Sequence, residues 1–233
     1  MRLLARSSKR KEEQRRSLIT LKQPKSPVSE QYRTVRTNIE FSTIDKDIKT
    51  LLVTSAGPAE GKSTTTNNLA VVFAQQGKKV LLIDGDLRKP TAHYSFQIEN
   101  YVGLTNVLTK QSTLEKAIHV TEQENLYVLT SGPIPPNPAE ILGSHAMDDL
   151  LAQVTKEFDL VVFDSPPVLA VTDAQVLANK SDGVVLVVNS GKTNNDAALK
   201  AKEFLVNAKA KLLGVILNNR KQKDSQYYYY YGN

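Results

Sequence analysis

The 233-residue chain has no cysteine and only three histidines. Without cysteine there is no disulfide and no thiolate chemistry, a composition that suits a cytoplasmic protein. The histidines, His93, His119 and His145, stand in HYS, HVT and HAM, scattered without metal-ligand spacing. Long hydrophobic runs are missing too. The longest apolar stretches span a few residues, so the sequence carries neither a signal peptide nor a membrane span. Aromatic residues are absent from the first 25 positions, which are otherwise strongly basic. A basic segment with nothing to stack on bases speaks against nucleic acid as the partner.

The charge that is present is unevenly placed. Residues 1–25 hold nine Lys or Arg against Glu12 and Glu13, so this stretch carries +7 of a formal net +6, and the remainder is near neutral at −1. The basic character therefore describes an arm over 1–28, able to meet anionic lipid or an acidic protein segment. The rest, with 40% hydrophobic residues in the whole chain, is large enough for one stable α/β domain over 29–218. Residues 219–233 form a tail ending in Tyr227, Tyr228, Tyr229, Tyr230 and Tyr231. Five consecutive tyrosines point in every direction, so no single face can bury them. The run is expected to be an exposed, flexible terminus.

Between arm and tail, short β-branched runs alternate with helical segments. TLLVTS (50–55), KKVLLID (78–84), NLYVLTS (125–131), DLVVFD (159–164), GVVLVV (183–188) and LLGVIL (212–217) read as strands. This alternation predicts a doubly wound, mostly parallel sheet with helices on both faces. Ligands bind such sheets beyond the carboxyl ends of the strands. The first strand is followed there by AGPAEGKSTT (56–65), close to the phosphate-loop pattern G-x-x-x-x-G-K-[ST], with Ala56 in place of the first glycine. The loop Gly57, Pro58, Ala59, Glu60, Gly61, Lys62, Ser63 and Thr64 is the expected ATP-binding segment. Its backbone N–H groups face anionic oxygens, Lys62 adds charge at the β- and γ-phosphates, and the Ser63 hydroxyl can ligate Mg²⁺. A second match, SGKT (190–193), lacks an opening glycine, since Leu186 stands there, and reads as a strand exit and helix cap.

Two more strands end in carboxylates. LLIDGDLRKP (81–90) brings Asp84 and Asp86 to the same sheet edge, and DLVVFDSPP (159–167) brings Asp164, in the form of a Walker B strand that holds Mg²⁺. AGPAEGKST, LLIDGDLRKP and VVFDSPP, in this order, resemble the Walker A, A′ and B motifs of the bacterial P-loop tyrosine kinases of capsule and exopolysaccharide synthesis. The resemblance runs from about residue 29 to the last tyrosine and includes EQYRTVR (30–36), similar to that family's E-x-x-R-x-x-R oligomerisation motif.

The resemblance implies an ATP:protein-tyrosine phosphotransferase with ATP and Mg²⁺ as cofactors. It implies Asp84 as base for the tyrosine proton or as a metal-shell ligand with Ser63 and Asp164, and Asp86 as orienting group or alternative base. It implies contact of Asn218 and Asn219 with adenine, and a subunit interface at Glu30, Arg33 and Arg36. Tyr227 to Tyr231 become autophosphorylation sites, reached in trans within a homo-oligomer. A separate membrane adaptor with a cytoplasmic segment would recruit the kinase to the inner face of the membrane, and a protein tyrosine phosphatase and further protein substrates are implied as partners.

Two rivals remain. Partition and division-site ATPases carry a second lysine five positions before the loop lysine, where this chain has Gly57. A non-catalytic nucleotide switch could scaffold polysaccharide assembly. Two local signals complete the reading. Ser29 is placed to cap a helix, and Asn137, Pro138 and Glu140 form a capping-box start beside the site.

Overall fold

A computed structural model describes residues 18–43 and 47–220. Most of the basic arm and all five clustered tyrosines lie outside these residues. The described chain forms seven strands: β1 (Thr50–Ser55), β2 (Val80–Asp84), β3 (Ile118–Val120), β4 (Leu126–Leu129), β5 (Leu160–Asp164), β6 (Gly183–Asn189) and β7 (Leu212–Asn218). Their order in the sheet is β3-β4-β2-β5-β1-β6-β7. Every pair is parallel except β3 with β4. The six expected strands are all present. The short edge strand β3 was not foreseen, because IHV is too brief to show a period of two against its surroundings.

The helices are α1 (Ile19–Lys22), α2 (Pro27–Phe41), α3 (Lys62–Gln75), α4 (Ala92–Phe96), α5 (Leu104–Leu108), α6 (Leu114–Ala117), α7 (Pro138–Leu142), α8 (His145–Glu157), α9 (Asp173–Asn179) and α10 (Asn195–Asn207). They cover both faces of the sheet, because the strands are apolar on both. Leu52, Leu81, Ile83, Val161 and Phe163 join residues of α5 to α10 in one core. Leu51, Val53, Val80, Leu82, Leu160 and Val162 join α2 and α3 in the other. Successive strand residues thus alternate between two cores, as the pleat requires. α3 is buried along most of its length, from Thr65 to Ala74, and backs the central strands.

Two helix starts differ from expectation. Ser26, not Ser29, caps α2: its hydroxyl accepts the Ser29 N–H at 3.2 Å, with Pro27 at the first helical position. Ser29 is buried and its hydroxyl donates to Gln23 O at 2.7 Å. At α7, Pro138 does take the first position, but the Asn137 side chain accepts no backbone N–H. Its amide donates to Glu140 Oε2 at 2.6 Å, so the two box residues pair with each other.

The packed body begins ahead of residue 29. Leu18 and Thr20 are buried, and Thr20 donates from both its N–H and hydroxyl to Asn68 Oδ1 on α3, at 3.0 and 2.7 Å. The expected arm boundary falls inside this packed segment.

Candidate active site

The parallel strands deliver β1, β2 and β5 to one edge. β1 lies between β5 and β6, so the loop after it is flanked by the exits of both. Gly61 takes φ +91° and precedes α3, whose first residue is Lys62. A Cβ on Gly61 would fall 2.0 Å from Asn218 Nδ2, so only glycine fits here. Ala59 also takes a left-handed φ of +59°.

Lys62 is buried. Its ammonium donates to Asp164 Oδ1 at 3.1 Å and Ser63 Oγ at 3.0 Å, and lies 3.4 Å from Asp86 Oδ2. Burial pulls the lysine's pKa down, but Asp164, Asp86 and Asp84 outweigh it and the net shift is upward. Lys62 is therefore a permanent cation in this site.

Asp84 and Asp164 have no exposed surface. Asp84 Oδ2 accepts the N–H groups of Thr91 and Ala92 at 2.8 and 2.9 Å, and Oδ1 accepts that of Asp86 at 3.3 Å. Burial and the neighbouring Asp164 charge push Asp84 up to about 7, against the pull of those amides and Lys62. Asp164 is raised as well, again by burial first, with Lys62 opposing. Asp164 Oδ2 is buried without a hydrogen-bond partner. Asp86 is nearly buried and accepts the Lys89 N–H at 3.0 Å. Lys62, Ser63, Asp84, Asp86 and Asp164, predicted from three separate segments, are thus gathered at one sheet edge.

The unpartnered Asp164 oxygen, the Ser63 hydroxyl and Asp84 make an all-oxygen donor set of the kind Mg²⁺ takes. Among the described residues no three carboxylate or histidine groups stand arranged to hold a metal unaided.

The other predicted site residues take the following positions. Glu60 is buried and folds back over its own loop: Oε2 accepts the Ala56 N–H at 3.2 Å and Oε1 accepts the Thr193 hydroxyl at 2.7 Å. Asn218 donates to Glu60 O at 3.0 Å, so its amide holds the loop. Asn219 follows at φ +57° and is exposed. Pro58, Ala59 and Thr64 line the loop on its exposed side.

Glu30 and Arg33 form an exposed ion pair on α2. Arg36 does not share that solvated face: it reaches α3 and donates to Val72 O at 2.9 Å.

Sequence reasoning missed two features. Arg88 makes a two-point ion pair with the buried Asp173 at 2.8 and 3.0 Å, fastening the segment after Asp86 to α9. The SGKT turn is a strand exit, as read, but Asn194 caps α10, accepting the Ala197 N–H at 2.7 Å. Lys192 and Thr193 instead contact the phosphate loop. Only the adjacency of β1 and β6 brings them there.

Residues 48–213 match the family model described as an AAA domain. The chain is similar to the tyrosine-protein kinase YwqD of Bacillus subtilis (strain 168), at 57% identity over 217 residues, covering 93% of this chain and 92% of the relative. Among solved structures it resembles the chimerical protein CapA2B2, with TM-score 0.86 and 47% identity over 88% of this chain and 91% of that one. The kinase domain of the Escherichia coli tyrosine kinase ETK gives TM-score 0.84 at 32% identity, over 93% and 84%. A more distant likeness is the septum site-determining protein MinD with Mg-ADP from Pyrococcus horikoshii, TM-score 0.64 at 25% identity, covering 76% and 72%. Fold, site and relatives agree: the chain belongs to the bacterial P-loop protein-tyrosine kinases of capsule polysaccharide synthesis.

Proposed function

We propose that this chain transfers the γ-phosphoryl group of ATP to tyrosines of its own C-terminal cluster, Tyr227 to Tyr231, and thereby regulates capsule and exopolysaccharide synthesis and export. The observation that carries this is the meeting of Lys62 with Asp86 and Asp164 at the mouth of the phosphate loop, beside Asp84. Phosphoryl transfer asks for positioning and charge neutralisation rather than covalent chemistry, and these groups supply both.

In this reading the loop amides and Lys62 bind the phosphates. Ser63 and Asp164, with Asp84 in the shell, would hold Mg²⁺, which when bound neutralises charge on the phosphate oxygens. Lys62 leaves part of its contact with Asp86 and Asp164 to follow the phosphates. Asp84 is the base. Without a metal its carboxyl is held up to about 7, closer to a tyrosine's ordinary value of about 10; it serves as base where it does not itself ligate the metal. Asp84 has no exposed surface, so the acceptor reaches it only once the groups that cover it have shifted. Asp86 orients Lys62 and is the alternative base.

Two further elements belong to the proposal. The exposed Glu30–Arg33 pair serves a subunit contact in a homo-oligomer, within which the tail of one protomer is phosphorylated by another. A dozen residues of chain past Asn218 extend to at most about 40 Å, which sets the reach of the cluster to another subunit. No described helix is long and apolar enough to cross a membrane. A membrane adaptor with a cytoplasmic segment recruits the kinase, and a protein tyrosine phosphatase reverses its product.

Labelled ATP with Mg²⁺, with and without an adaptor's cytoplasmic segment, tests the proposal. Phosphotyrosine that disappears in Lys62→Met supports it. Hydrolysis without phosphotyrosine would favour a partition-type ATPase, and binding alone a nucleotide switch.

A further inference from the structure

The phosphate loop is held from outside by side chains that no motif contains. Lys192 Nζ, from the turn after β6, lies 3.2 Å from Ala59 O and 3.5 Å from Pro58 O. Asn218 Nδ2, from the end of β7, lies 3.0 Å from Glu60 O. Three consecutive peptide carbonyls are therefore each met by a donor. In a trans peptide the C=O and the following N–H point in opposite directions, and the described residues contain no cis bond. Carbonyls of Pro58, Ala59 and Glu60 held outward turn the N–H groups of Ala59, Glu60 and Gly61 inward. Successive inward N–H groups are what an anion-binding nest is made of. A cation at the carbonyl end also polarises each peptide toward a stronger N–H donor.

Thr193 adds a further tie. Its hydroxyl donates to Glu60 Oε1 at 2.7 Å and accepts the Asn189 N–H at 3.0 Å, while Glu60 Oε2 takes the Ala56 N–H. The loop needs such support: Ala59 sits at φ +59°, a conformation that residues with a Cβ seldom adopt.

From this geometry we propose that Lys192 is a positioning residue for phosphate binding, acting with Thr193 and Asn218. It fixes the loop amides in their inward orientation from behind and touches the loop, not the nucleotide. The inference rests on reading the loop as the ATP site.

The test uses the full chain with Mg²⁺. ADP affinity is measured by calorimetry, and KM and kcat for ATP by phosphotyrosine formation, for wild type, Lys192→Met, Lys192→Arg and Asn218→Ala. Lys192→Met is expected to weaken ADP and raise KM about tenfold, the scale of one charge-assisted hydrogen bond, with kcat at saturation within about twofold. Lys192→Arg, which keeps a cation, should recover most of the loss, and Asn218→Ala should move in the same direction as Lys192→Met. Lys192 is exposed, so unfolding midpoints of the nucleotide-free proteins should coincide. Unchanged ADP affinity and KM in Lys192→Met overturn the proposal, as does an equal loss in Lys192→Arg. Wild-type protein that binds no ADP, or Lys62→Met that binds it as well as wild type, strikes the ATP-site reading itself and is a separate result.

Discussion

Asp84 and Asp164 stand opposite one another as the last residues of the adjacent parallel strands β2 and β5. Both are fully buried, and one lysine serves the edge they share. Asp84 is held up to about 7 by burial and by that neighbour, whereas an unfolded aspartate titrates at about 4. Between those values the native protein keeps a proton that the unfolded chain has released. Stability of the nucleotide-free protein should therefore fall as pH rises from about 4 to 7 and level off above. Asp84→Asn removes this contribution. Thermal midpoints across that range should decline more steeply in wild type than in the variant, and parallel curves would contradict the assignment.

Lys62 faces Asp86 and Asp164 at once. Lys62→Met should abolish phosphotyrosine formation. It should also lower unfolding free energy by up to about 3–5 kcal/mol at pH 8, since it strands buried carboxylates. The deficit should shrink at pH 5, where Asp84, held up to about 7 beside them, is protonated and adds no uncompensated charge. Urea unfolding at the two pH values measures it.

The two arginines of EQYRTVR should separate. Arg33 pairs with Glu30 at the surface, so Arg33→Ala should change monomer stability by less than about 0.5 kcal/mol while shifting the assembly toward smaller mass in light scattering. Arg36→Ala frees Val72 O and should cost about 1–3 kcal/mol in the monomer itself. Equal stability of the two variants would refute this division.

Changing Tyr227 to Tyr231 together to Phe should eliminate autophosphorylation and leave ADP affinity within about twofold. Mass spectrometry and calorimetry check the two halves. Persistent phosphotyrosine at other positions would show that the cluster is not the acceptor.

Much of this was legible because parallel strands hide on both faces and so write continuous apolar runs, with the chemistry at their exits. Asp84, Asp164 and Lys62 could be found that way from local pattern alone. What escaped was set by contacts between distant segments. Ser29 looks like a cap, but Ser26 precedes a proline and takes the role. Arg36 shares a motif with Arg33, yet the packing of α2 on α3 turns it inward. Lys192 and Thr193 sit 133 positions from Ala59 and Glu60. Nothing local marks them, and their neighbourhood exists only once β6 pairs with β1.

The place of β1 in the sheet also governs when the protein can become itself. Both its neighbours, β5 and β6, are translated more than a hundred residues after it. At a synthesis rate of about 5–20 residues per second, the nascent β1 waits on the order of ten seconds with both edges unpaired and both faces apolar. A truncated product ending before residue 160 would have its phosphate loop but no strand to seat it. Such fragments should be captured by chaperones rather than bind nucleotide, and the nucleotide site should form only once β5 and β6 have been made.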